Sequence, residues 1–184
     1  MDGSAFQPAK TFKHGTQRTT AQLNDNKPVV ITAWFNNEVK PWPVDRIIGN
    51  DPLRQFLLKG ENGRVHTMEA CWDPKKGEWF NLFANEDRKA GEWGHWTGRG
   101  MVWNTMCAEC HNTRVRKNYD SATDTFHTTM AQQNVSCEAC HGPMKDHVTW
   151  QEKPPAGATK DPTLHKFTRD QQTETCAACH SRRT

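Results

Sequence analysis

One pentapeptide pattern, Cys-x-x-Cys-His, occurs three times in the second half of this 184-residue chain, at residues 107–111, 137–141 and 176–180. Two thiols at this spacing lie on one side of a helical turn, where each can form a thioether with one vinyl group of a porphyrin. The next residue, His, can then reach the iron from the same side. The pattern therefore predicts three covalently attached haems of the c type. The predicted attachment points are Cys107, Cys110, Cys137, Cys140, Cys176 and Cys179, and the predicted proximal ligands are His111, His141 and His180.

Other sites share the Cys-x-x-Cys spacing. A redox dithiol has no need of a His directly after the second Cys. A structural zinc site takes four ligands from two such pairs, so three copies of the pattern would leave one pair unmatched. Zinc and disulfides therefore remain as the weaker alternatives to haem.

Composition agrees with a bound apolar cofactor. Only 34% of the residues are hydrophobic and the mean hydropathy is −0.92, yet the chain has eight Trp and eight Phe. A porphyrin can fill a core that aliphatic side chains do not, so the apoprotein is expected to be largely unfolded. Haem propionates would offset the net charge of +3, and no nucleic-acid module is present. No apolar run is long enough for a transmembrane helix.

The distal ligands are less determined than the proximal ones. His147 lies six residues after His141, too near to reach the opposite face of the same iron, so as a ligand it should serve a neighbouring haem. His95, between Trp93 and Trp96, is the second candidate. The remaining candidates are His127 and His165 for the third iron, with His14, His66, Met68, Met101, Met106, Met130 and Met144 as further donors.

Strand-like runs occupy the N-terminal half, at residues 29–35, 54–59 and 65–72. Asn62-Gly63 and the 73–77 segment are turn signals between such runs. We therefore predict an α+β fold with little regular secondary structure: a small antiparallel β-rich part over residues 1–92, then a helical, loop-rich trihaem part over 93–184. The tryptophans are expected to pack in the core or against haem edges, and Cys71 is expected to be a buried small hydrophobe.

An ordered set of motifs resembles the bacterial multihaem c-type cytochromes that often carry tetratricopeptide repeats. The motifs are 51–57, 63–65, Trp72-Asp73, Trp79-Phe80, 95–97, Trp103-Asn104, 107–111, 117–120 and 137–143. The resemblance implies that His95 and His147 are axial ligands, and that the protein is exported to the periplasm or the cell surface. Family members usually carry further motifs on both sides, so the chain is expected to be an internal segment or a shortened relative.

The function expected from these features is electron transfer between redox protein partners that meet an exposed haem edge. The alternative is a multihaem oxidoreductase that acts on a small nitrogen or sulfur compound at an iron with an open distal position. A third possibility is an assembly unit in which haems of neighbouring domains or subunits form a wire, with histidines donated across subunits.

Overall fold

The computed structural model describes residues 3–181. Its contacts divide the chain into two units: unit 1 comprises residues 1–107 and 117–128, and unit 2 comprises 108–116 and 129–184. The strands are β1 Lys10–His14, β2 Gln17–Asn24, β3 Lys27–Ala33, β4 Val39–Ile48, β5 Arg54–Lys59, β6 Val65–Asp73, β7 Glu78–Asn81, β8 Tyr119–Asp120 and β9 Thr125–Phe126. The helices are α1 Trp103–Met106, α2 Ala108–His111, α3 Cys137–His141, α4 Lys145–Glu152 and α5 Arg169–His180, and one 3₁₀ turn covers Arg99–Met101.

Unit 1 is built on a seven-stranded antiparallel sheet in which each strand pairs with the next along the chain. The first strand, β1, also contacts β7. The predicted hairpin at Asn62-Gly63 is confirmed: both residues have positive φ, at 53° and 72°, and they connect β5 to β6. The predicted turn after Asp73 is confirmed as well, because the Asp73 side chain accepts the N–H groups of Lys75 and Lys76 and leads into β7.

The core of unit 1 is aromatic. Phe56 has no exposed surface and meets the rings of Phe6 and Trp79, each at a centroid distance of 5.0 Å. The core cluster consists of Ala5, Phe6, Ala21, Val30, Trp42, Phe56, Leu58, Met68, Ala70, Trp72, Trp79 and Trp96. The prediction that tryptophans pack the core is confirmed for these four, whereas Trp93 is 67% exposed. Large rings bury more area per residue than aliphatic side chains, so few apolar residues suffice here.

The most buried strand is β6, which pairs with β5 and β7 and is buried at every residue from Val65 to Trp72. Cys71 lies on it with no exposed surface, and burial raises the pKa of its thiol to about 12, as expected of a packing residue rather than a nucleophile. Glu69 is also buried on this strand, and neither of its carboxylate oxygens has a hydrogen-bond partner among the described residues. Burial raises the pKa of Glu69, whereas the side chain of Gln17 and the positive charge of Arg88 lower it.

Unit 2 consists of short helices and loops without a comparable core. From Cys137 to Ser181, no described residue is buried, although Val148, Leu164 and Phe167 are large and apolar. Its longest helix, α5, begins with a capping box in which the Thr168 side chain accepts the Gln171 N–H and the Gln171 side chain accepts the Thr168 N–H. In the described part of the chain, no helix has the length and apolar character needed to cross a membrane.

The predicted fold class is wrong. The structure is mostly β, with 20% helix, and not a small sheet followed by a helical haem core. The sequence did not indicate β1 and β2 because they are polar strands in which Thr19 and Ala21 alone are buried, so they carry weak hydrophobic alternation. The helices of the first two motifs, α2 and α3, are short, and about one helical turn is enough to space the two cysteines of a motif. The predicted division into 1–92 and 93–184 stays a prediction.

Candidate cofactor site

The first motif begins where α1 ends. The Cys107 N–H donates to the Trp103 carbonyl at 3.1 Å, and the Cys107 sulfur lies 3.7 Å from the Thr67 hydroxyl on β6. Asn104, on the same helix, accepts the Val65 N–H at 2.8 Å and donates to the Gly63 carbonyl at 3.2 Å. Cys107 is thereby held against the buried strand β6, and all these contacts lie within unit 1.

The rest of this motif, helix α2, belongs to unit 2. Ala108 is fully buried, and its carbonyl accepts the Asn112 side-chain N–H at 2.9 Å. Cys110 is half-buried and His111 is exposed. The short helix therefore leaves a thiol and an imidazole accessible to a bound group.

The second and third motifs lie wholly on helices, α3 and the last turn of α5. The Ser136 N–H, just before α3, donates to the Thr113 hydroxyl at 2.8 Å, and that hydroxyl donates to the Asn134 carbonyl at 2.6 Å. All the thiols and imidazoles of these two motifs are exposed: Cys137, Cys140, His141, Cys176, Cys179 and His180.

Unit 2 brings together one cysteine from each motif. Helices α2 and α5 are in contact. Partial burial raises the pKa of the Cys179 thiol, and the nearby thiols of Cys110 and Cys140 add to that shift. Residues separated by up to 69 positions in sequence are therefore neighbours in space.

The donor set fits covalent haem. None of the motif cysteines is in a disulfide, and thioether formation requires an accessible thiol. Around them the chain exposes Leu164 and Phe167, which the apolar face of a porphyrin could cover. Phe167 already stacks on the His141 ring at a centroid distance of 5.2 Å. Among residues 3–181, no group of three or more His, Cys, Asp or Glu has a geometry that could hold a metal ion alone.

His95 is buried in unit 1, with 4% of its surface exposed. Its Nδ1 accepts the Thr97 backbone N–H at 3.2 Å and lies 2.7 Å from the Thr97 hydroxyl, and that hydroxyl accepts the Gly91 N–H at 3.0 Å. The Nε2 atom has no hydrogen-bond partner among the described residues. Burial lowers the pKa of His95 to about 4, so the ring is neutral at neutral pH. His95 also lines a pocket of about 550 Å³ that includes Arg18 and Phe35.

His147 lies on α4 in unit 2, and its Nδ1 is 2.6 Å from the Asp161 carboxylate. Burial of this carboxyl opposes its ionisation, but hydrogen bonds from Thr163 and His147 outweigh burial and hold the pKa of Asp161 below its usual value. An ionised carboxylate only accepts hydrogen bonds, so Nδ1 donates to it, and in the neutral form of the ring Nε2 then has the lone pair. That is the tautomer required of an Nε2 metal ligand.

The remaining histidines differ in their hydrogen bonds. The exposed His127 approaches the Thr125 hydroxyl at 3.3 Å through Nε2, the atom that a ligand would need, and His165 is exposed. His14 approaches the Glu86 carbonyl through Nε2. His66 is buried between Trp34 and Trp96, with its Nδ1 3.1 Å from the Trp96 carbonyl. These distances do not select the third distal ligand, and the ligand assignments stay predictions.

Two residues that could orient ligands were missed in the sequence. Thr97 stands two positions after His95, so the short His-Trp-Thr segment carried a local signal. Asp161 lies 14 positions after His147 and reaches it only because the loop before α5 returns to α4. No spacing rule connects a loop carboxylate to a helical histidine at that separation.

The chain was compared with known proteins. Residues 78–142 match the family described as cytochrome c554 and c-prime. These residues are similar to a c-type cytochrome family. The matched segment contains the first two motifs and His95, whereas the third motif lies outside it. No curated protein and no solved structure matches the chain.

The match has consequences for cofactor and role. A c-type cytochrome family implies covalently bound haem c and a role in electron transfer. Such proteins are generally exported to the periplasm. The coarse prediction of a c-type cytochrome is thus confirmed for residues 78–142, while the number of haems is a separate question.

Proposed function

We propose that this protein is a multihaem c-type cytochrome that binds three covalent haems and transfers electrons between redox protein partners. The three motifs carry the proposal, because each places two cysteines outside any disulfide and an exposed imidazole on or directly beside a helix. In unit 2, the chain around them has no buried residue from Cys137 to Ser181. The family match over residues 78–142 supports haem at the first two motifs.

The chain's own groups would act as follows. The three cysteine pairs hold the cofactor covalently, and His111, His141 and His180 supply the imidazole nearest each attachment point. When bound, haem supplies an iron that cycles between ferric and ferrous. His147 would present its Nε2 atom to complete an iron's coordination, and His95 would do so with its ring proton moved to Nδ1. With two protein ligands an iron has no position for a substrate, which favours electron transfer over catalysis.

The proximity of one cysteine from each motif supports electron transfer between haems. Cys110, Cys140 and Cys179 are neighbours in unit 2, so groups attached to them would lie near one another. Because the thiols and imidazoles of the motifs are half-buried or exposed, the edges of attached cofactors would be accessible to partner proteins. We propose redox proteins as those partners, meeting the chain through small transient interfaces in the periplasm or outside the cell.

The test is to mature the chain in a host with c-haem machinery and measure haem per polypeptide by the pyridine haemochrome method. We expect three haems, a c-type α band after reduction, and two haems when Cys176 and Cys179 are both replaced by Ser. Carbon monoxide is expected to leave the reduced spectrum unchanged. Absence of the α band would overturn the haem assignment, and a carbon monoxide shift in the unmodified protein would overturn the electron-carrier role in favour of an open iron.

A further inference from the structure

The hydrogen bond between His147 and Asp161 is unusual for its surroundings. From Cys137 to Ser181 no residue is buried, yet only 3% of the Asp161 side chain is exposed. The His147 ring covers one carboxylate oxygen at 2.6 Å. The other oxygen accepts the Thr163 N–H at 2.8 Å and the Thr163 hydroxyl at 2.6 Å. In this sparsely packed segment, the least exposed carboxylate, that of Asp161, is therefore hydrogen-bonded to the His147 imidazole.

This carboxylate is held rigidly. Thr163 fixes it from within the same loop, and the Gln151 side chain on α4 donates to it at 3.4 Å. Gln151 and His147 are four positions apart and so lie on the same face of α4. Two residues of the helix therefore meet one carboxylate of the loop, which restricts both the position and the rotation of the imidazole.

We propose that Asp161 is a positioning residue that orients His147 as an axial ligand and increases its electron donation to the iron. This inference rests on the proposed function, since it requires a haem that His147 can reach. A histidine that ligates a metal commonly donates its other ring N–H to a carboxylate, which fixes the tautomer and makes the ligating nitrogen a better donor. The contact at Nδ1 has this form and leaves Nε2 for the iron.

A solvated ion pair is the competing explanation of the same contact. It would contribute little, and substitution of either partner would change stability alone. A positioning role predicts in addition that the ligation and the reduction potential of one haem depend on Asp161. That dependence should vanish when His147 itself is absent.

The experiment compares Asp161→Asn, Asp161→Leu, His147→Ala and the double variant His147→Ala with Asp161→Asn in the mature haem protein. Asp146→Asn is the matched control, because Asp146 adjoins His147 in sequence, is exposed and carries the same charge. Haem content and the reduced α band are recorded first, so that failure of the proposed function appears there. Carbon monoxide titration and the reduction potential of each haem are then measured.

We expect His147→Ala to open one iron to carbon monoxide. Asp161→Leu should let carbon monoxide displace His147 at a concentration at least about tenfold lower than in the unmodified protein, by analogy with other residues that support metal ligands. Asp161→Asn should move the potential of one haem to a more positive value by weakening the donor. Asp146→Asn should change neither quantity to the same extent, and the double variant should match His147→Ala.

Three results would overturn the proposal. Equal effects of Asp161→Asn and Asp146→Asn would reduce the role of Asp161 to its charge. Additive effects in the double variant would show that Asp161 acts independently of His147. If His147→Ala has a normal α band and carbon monoxide does not change its reduced spectrum, then His147 is not a ligand. The cytochrome assignment would remain intact.

Discussion

Units 1 and 2 stabilise their chains in different ways. In unit 1, strand β6 is buried from Val65 to Trp72 and aromatic rings interlock around Phe56. In unit 2, helices α3, α4 and α5 have no buried residue. The sheet can therefore be stabilised by its own side chains. The helices that carry the second and third motifs need an apolar partner, which covalent haem would supply.

The largest effect is expected from removing one attachment point. With Cys137 and Cys140 both replaced by Ser, the chain should lose one of three haems, and the amides of α3 and α4 should lose protection from hydrogen exchange because no apolar surface covers them. The amides of β6 should keep their protection. Hydrogen exchange followed by mass spectrometry checks both regions in one experiment. Equal loss of protection in β6 would break the distinction between the two units.

A smaller effect is expected from a cavity in the sheet. Phe56→Ala should lower the free energy of unfolding of unit 1 by about 3–5 kcal/mol, the usual cost of removing a buried phenyl ring. Thr168→Ala, which deletes the N-cap of α5 in unit 2, should cost only about 1 kcal/mol. Denaturant titration of the mature protein, read by tryptophan fluorescence for the sheet, measures the first of these changes. If Phe56→Ala costs no more than Thr168→Ala, the aromatic core is not the main source of stability.

The smallest effect concerns the buried carboxyl of Glu69. Its pKa in the folded protein is raised above the usual 4.5 by burial, so the folded state holds the proton more tightly than the unfolded state. The stability from that proton is present at low pH and is lost as the pH rises from the unfolded value through the folded one. Glu69→Gln should reduce this loss of stability with rising pH. The variant should therefore be more stable than the parent protein towards neutral pH.

Thermal unfolding of unit 1 as a function of pH checks this expectation, with Glu61→Gln at an exposed position as the control. The control should retain the parent's pH dependence. If Glu69→Gln and Glu61→Gln change the pH dependence of stability equally, Glu69 is not the source of that dependence. Arg88, His14 and Glu86 lie near enough to influence the Glu69 carboxyl, so their own ionisation contributes a background that the control carries as well.

Local signals in the sequence predicted local structure well. Asn62-Gly63 predicted the hairpin because two successive residues with positive φ suit those two residue types. The run from Arg54 to Lys59 coincides with β5. By contrast, β1 and β2 were missed, because polar strands at the start of a sheet gain their stability from neighbouring strands rather than from their own pattern.

The sequence by itself determined the cofactor chemistry, since covalent attachment depends on thiols and an imidazole at fixed spacing and the motifs carry both in five residues. The tertiary structure decided what surrounds that chemistry: the extent of the sheet, the meeting of Cys110, Cys140 and Cys179, and the partner of His147. These features join residues distant in sequence, and such contacts depend on how the whole chain folds rather than on any local spacing.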